Sequence, residues 1–93
     1  MTLFITENDV SKLLSMDIAL EAVEDGLRHQ AKGEATNSPR DRIRLPNGTF
    51  NFMSAAEPTL GLMGVKTYGV IEHNEIHFYV QLYSTKTGKL IAI

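Results

Sequence analysis

The sequence contains no cysteine and no tryptophan, and only three prolines. Without cysteine there is no disulfide framework and no thiolate metal site. Charge of one sign is also lacking. Nine lysines and arginines against eleven aspartates and glutamates leave a net charge of −2, which makes no electrostatic case for nucleic acid or an acidic membrane as partner. Long apolar runs are missing too. No segment approaches the roughly 18 continuous apolar residues of a membrane span. The opening "MTLFITENDV" lacks the basic and long apolar regions of a signal peptide. The expectation is a soluble, cytoplasmic chain of mixed α and β structure. At 93 residues it makes one small domain.

What is present begins with a helix start. In "ITENDVSKLLSM", Thr6 stands where it caps a first turn, with Asp9 three residues on as its capping-box partner. Val10, Leu13 and Leu14 share one face. A longer helix is expected from Asp17 to Lys32, with Ile18, Ala19, Ala22 and Val23 at helical spacing and Gly33 as its left-handed stop. This helix is expected to cover a sheet.

From Ser38 the period changes to two. Asn47-Gly48 is a strong hairpin signal and, taken as the loop centre, pairs Leu45 with Phe50, Ile43 with Phe52 and Arg42 with Met53. One face then holds Ile43, Leu45, Phe50 and Phe52 and is expected to be core. The other holds Arg40, Arg42, Arg44, Asn51 and Met53 and faces solvent or a polar cavity. Further strands are expected over 61–71, 76–84 and 89–93. The first is apolar on both faces, which predicts a central strand covered on two sides. A chain that stops in mid-strand reads as a piece of something longer.

Several motifs are missing. There is no GxGxxG fingerprint, no GxxxxGK phosphate loop, no GxSxG elbow, no HExxH helix and no calcium loop. His73 and His77 fall in a strand or its turn, where their spacing does not suit a shared metal. Asn47-Gly48-Thr49 is formally a glycosylation sequon, but reads as a turn.

The informative residue is Lys66, a lone cation in the apolar run "GLMGVKTYGV". Buried charge is costly unless it is met by a partner. Either the lysine snorkels or is structurally paired, or its amine serves a site. Arg40, Arg42 and Arg44 are open in the same way. They form a solvated edge that discourages strand addition, or an anion site in which a guanidinium grips a carboxylate at two points.

Four stretches in order resemble the amino-terminal part of the ornithine cyclodeaminase/mu-crystallin family. They are "LFITENDVSKLLSMDIALEAVEDGL", "NSPRDRI", "FNFMSA" with "LGLMGVKTYG", and "HNEIHFYVQLYSTKTGKLIAI". Departures fall at turn positions: Ser38 for a proline, Ser84-Thr85-Lys86 where an aspartate is usual, and Lys89 for a proline. The resemblance implies an α+β fold, with two N-terminal helices packed on a mainly antiparallel sheet of about five strands. Residues 1–93 would be the N-terminal substrate-binding and dimerisation domain of a longer two-domain protein, whose Rossmann domain lies outside this chain.

By the same resemblance, Arg40 and Lys66 hold a substrate carboxylate, Lys66 also acts near the reacting α-carbon, and Met53 lines the pocket. Arg42 and Arg44 are read as structural. The implied activity is NAD(P)-dependent chemistry at the α-carbon of a small amino acid or cyclic imine: dehydrogenase, ketimine reductase or cyclodeaminase. NAD or NADP would bind the full-length parent and not this chain, which alone would be inactive. The implied assembly is a homodimer through the sheet. The alternatives are a non-catalytic small-molecule-binding or dimerisation module, or an unrelated domain whose arginine face takes an anionic partner.

Overall fold

The structure, a computed structural model, describes residues 1–93. Helix α1 (Glu7–Leu13) starts on a complete capping box. The Asp9 amide donates to Thr6 Oγ1 at 3.1 Å, and the Thr6 amide donates to Asp9 Oδ2 at 2.9 Å. Helix α2 (Met16–Ala31) is capped by Ser15, whose hydroxyl accepts from the Ile18 amide. It ends as the sequence predicts. Gly33 takes φ 78°, its amide donates to the Gln30 carbonyl, and the Glu34 amide donates to the His29 carbonyl.

Six strands follow: β1 (Thr36–Asn37), β2 (Asp41–Leu45), β3 (Gly48–Glu57), β4 (Leu62–Ile71), β5 (Phe78–Ser84) and β6 (Leu90–Ala92). They form one antiparallel sheet in the order β1-β3-β4-β5-β6, with β2 also pairing β3. At the far edge Leu3 makes a parallel bridge with Ala92. The fold is therefore α+β with two helices on an open antiparallel sheet. No helix is long and apolar enough to cross a membrane.

Two sequence expectations need correction, and one gains a detail. First, the hairpin turns on Pro46-Asn47 rather than Asn47-Gly48. Ile43 pairs with Phe50, Arg42 with Asn51 and Leu45 with Gly48. Gly48 is instead the first residue of β3, where a Cβ would sit 1.9 Å from the Val70 carbonyl oxygen. The glycine serves close strand approach, not the turn. The slip is two residues, so every side chain keeps its predicted face.

Second, the expected antiparallel sheet of about five strands is present and has six. The additional strand, β1, is two residues long. Asn37 pairs with Ala55 and Asp41 with Phe52, so residues 38–40 oppose only 53–54. That extra residue is a β-bulge at Pro39, with Ser38 held by its amide to the Ser54 carbonyl at 2.9 Å.

Third, β4 is central but is not covered on two sides, and its residues are mostly half-buried. Helix α2 lies over the face bearing Met53, Lys66 and Leu82, where Val23, Gly26 and Leu27 look onto the sheet. The apolar hairpin face, expected as core, is open, and α2 leaves Val80 and Phe78 on its own face exposed as well. Ile43 is 50% exposed, Phe50 41% and Tyr79 61%. Part of the reason is where α2 is tied. His29 in its last turn contacts Glu57 at the end of β3, and Glu57 shares the face of Met53. Both members are largely shielded from solvent.

Two predictions follow from the fold. Gly48→Ala should lower stability by about 2 kcal/mol or more, because backbone has to move to admit the Cβ; urea denaturation measures it. Asp9 is held below the ordinary carboxylate value of 3.8, first by the Thr6 backbone amide and then by the Thr6 hydroxyl. Its stabilisation is complete above that value and is lost as pH falls through the lowered one. The acid limb of a stability–pH profile should therefore flatten in Asp9→Asn, with no such change in Glu7→Gln.

Candidate functional site

The site grows from the β3–β4 ladder. Met53 pairs with Lys66, and Lys66 pairs across the other side with Val80, so the three form one row on the face beneath α2. One row along, Asn51 pairs with Tyr68 and Tyr68 with Phe78. Between this face and α2 lies a cavity of about 650 Å³, whose lining includes Val23, Leu27, Met53, Lys66, Val80 and Leu82. It is mostly apolar, with Lys66 as its one cation. Its one carboxylate, Glu57, is engaged by His29.

Lys66 is half-buried and has no carboxylate within ion-pairing distance. Its ammonium lies over two aromatic rings instead, 5.8 Å from the Tyr68 centroid and 5.5 Å from that of Phe78. The rings are 4.8 Å apart and tilted by 40°. Cation–π contacts of this kind are worth about 0.5–1 kcal/mol each where water has access. They orient the ammonium without neutralising it, so its charge is available to an anion. Chemically, this is a cation on an aromatic floor beside an apolar space.

The predicted site residues are brought together only in part. Lys66 and Met53 are direct cross-strand neighbours, and both line the cavity. Arg40 is exposed on the bulge between β1 and β2, does not line the cavity, and makes no hydrogen bond or ion pair within the chain. His73 stands in the β4–β5 turn with φ 63°, and His77 precedes β5. No cluster of three His, Asp or Glu side chains is placed to hold a metal.

The residue that the sequence reading passed over is Asn51. It is only 2% exposed and is the one fully buried polar side chain. Its Oδ1 accepts from Arg42 Nε at 3.1 Å, and its Nδ2 donates to Thr49 Oγ1 at 3.1 Å and to the Tyr68 carbonyl at 3.4 Å. The signal was the alternation of arginines opposite a strand carrying a single asparagine.

Over residues 1–93 the chain matches the model of the ornithine cyclodeaminase/mu-crystallin family. It belongs to that family. Among family relatives, the alanine dehydrogenase of Archaeoglobus fulgidus is 35% identical over 65 residues, which is 70% of this chain and 20% of the relative. An archaeal alanine dehydrogenase, solved as a dimer with bound NAD, superposes with a TM-score of 0.88 at 29% identity, over 98% of this chain and 30% of its own. Two further structures show the same fold at 22% identity. A probable ornithine cyclodeaminase from Bordetella pertussis Tohama I has a TM-score of 0.89, covering 99% of this chain and 29% of its own. The iminosuccinate reductase of Paracoccus denitrificans, in complex with NAD+, has a TM-score of 0.90, covering 98% and 31%.

The chain thus spans between a fifth and a third of the length of these relatives. Its own residues do not fit a dinucleotide. Both helices precede the strands, and no strand leads through a glycine-rich turn into a helix N-terminus, the arrangement that receives a pyrophosphate.

Proposed function

We propose that this chain is the substrate-binding and dimer-forming part of an NAD(P)-dependent enzyme acting at the α-carbon of a small amino acid or its imine. The observation that carries the reading is the uncompensated Lys66 ammonium on the central strand, in register with Met53 and beside an apolar cavity. Lys66 binds the substrate carboxylate and acts beside the reacting carbon. Arg40, in the segment opposite Met53 and Ser54, supplies the second contact, its planar fork matching a carboxylate. Met53 walls the pocket. A nicotinamide bound by the full-length protein would supply hydride exchange. The named activities of the alanine dehydrogenase and iminosuccinate reductase relatives support the class, and the carboxylate is the group their amino or imino acid substrates share.

Dimerisation belongs to the same proposal. The open face carries Ile43, Phe50 and Tyr79 in exposed positions, an apolar surface that a second copy would cover. The archaeal alanine dehydrogenase, itself a dimer, supports this reading. The protein is expected to work in the cytoplasm.

In the full-length protein, supplied with amino acids and cyclic imines and followed by NAD(P)H absorbance, Lys66→Ala should lower kcat/KM by at least about a hundredfold. Arg40→Ala should act chiefly through KM. Normal kinetics in both variants would overturn the site. For the dimer, sedimentation of Phe50→Asp should show monomer where the wild type shows dimer; a variant that still dimerises would place the interface elsewhere.

A further inference from the structure

By resemblance Arg42 is structural, but its surroundings are those of a binding group. It stands on the same sheet face as Lys66, opposite Asn51. Asn51 takes only the Nε–H of the guanidinium, and no other group in the chain bonds Arg42. Both terminal amino groups of the fork are therefore free, while the head is anchored by the most buried side chain in the molecule. An exposed arginine that merely discourages strand addition needs no such anchor. A fixed guanidinium with its outer edge unpaired is pre-organised for an anion, since little rotamer freedom remains to be lost on binding.

Its position relative to Lys66 matters. The two lie two strands and two residues apart, about 12 Å between Cα atoms by the usual strand spacing and rise. The Lys66 ammonium leans over Tyr68 and Phe78, the cross-strand continuation of the Arg42–Asn51 row. The ammonium and the anchored guanidinium thus stand on one sheet face, along the row that runs from Arg42 through Asn51 and Tyr68 to Phe78. No free carboxylate stands on this face, because Glu57 is taken by His29. Two separate cations without an anion between them suit a ligand with two anionic groups.

We infer that Arg42, held by Asn51, is a specificity-determining residue that receives a second carboxylate, so that the substrate is an amino or imino dicarboxylic acid rather than one with an apolar or cationic side chain. This rests on the carboxylate-binding part of the proposed function, with Lys66 taking the α-carboxylate. Arg42 is a binding group, and Asn51 positions it.

The test compares succinate with propionate, which lacks the second carboxylate, by calorimetric titration of the full-length protein. Succinate should bind about tenfold or more tightly than propionate. Arg42→Gln should remove that difference and leave propionate close to wild type. Arg44→Gln, on the same face without an anchor, should leave the preference intact and controls for general charge. Asn51→Ala should reproduce the loss in part if circular dichroism shows it folded, and Arg42→Gln decides alone if it does not. Equal affinities for the two acids, or a succinate preference that survives Arg42→Gln, would overturn the inference. A preserved succinate preference lost in Arg42→Gln, with no nicotinamide-dependent turnover of any amino acid, would instead count against the enzyme reading and leave this site standing.

Discussion

The pairing of β3 with β4 is the constraint on which the rest depends. It runs unbroken from Gly48 opposite Ile71 to Glu57 opposite Leu62, and every other strand attaches directly or indirectly to it. Because side chains alternate strictly along a strand, this one register decides which residues share a face. It sets Met53 beside Lys66 and Asn51 beside Tyr68. It also sends Phe50 and Phe52 to the opposite side, where the two rings pack edge to face with centroids 4.8 Å apart. The missing side chain of Gly48 lets the first pair close.

The sheet's two faces differ in chemistry and in cover. The Lys66 face combines cations, a buried amide and an aromatic floor, and α2 shelters only part of it. The other is largely apolar and open. Only Ala92 and Asn51 are buried outright, so this chain holds little sealed core of its own. Hydrophobic burial on the scale of a stable domain has to be completed by other surfaces. A second copy on the open face and further chain over the Lys66 face would supply it. The same exclusion of water would strengthen the attraction of Lys66 and Arg42 for an anion.

Local features were legible in the sequence because local rules govern them. The Thr6–Asp9 capping box, the stop at Gly33 and a strand within the expected 76–84 all appear in the structure. The two faces of the hairpin were also legible, since a two-residue slip leaves parity unchanged. The turn itself was misplaced, because glycine after asparagine is a turn signal whether the glycine turns the chain or, as here, admits a neighbouring strand. Strand β1 was not legible, as two residues have no period. Nor was the exposure of β4, since an apolar pattern on both faces does not say what packs on either. Of the site, Lys66 stood out as a charge in an apolar run. The anchoring of Arg42 by Asn51 did not, since only the fold reveals which arginine meets a buried amide and which, like Arg40, falls on a bulge.

The arrangement that matters most is the Lys66 ammonium resting on Tyr68 and Phe78 with its charge open to a carboxylate. It is tested most directly by NMR of the full-length protein labelled with 13C-lysine. The Lys66 ε-methylene protons should resonate upfield of the other lysines because of the two rings, and should move saturably as a small carboxylate such as pyruvate is added. A Lys66 signal at the ordinary lysine position, or one indifferent to carboxylate, would contradict this arrangement.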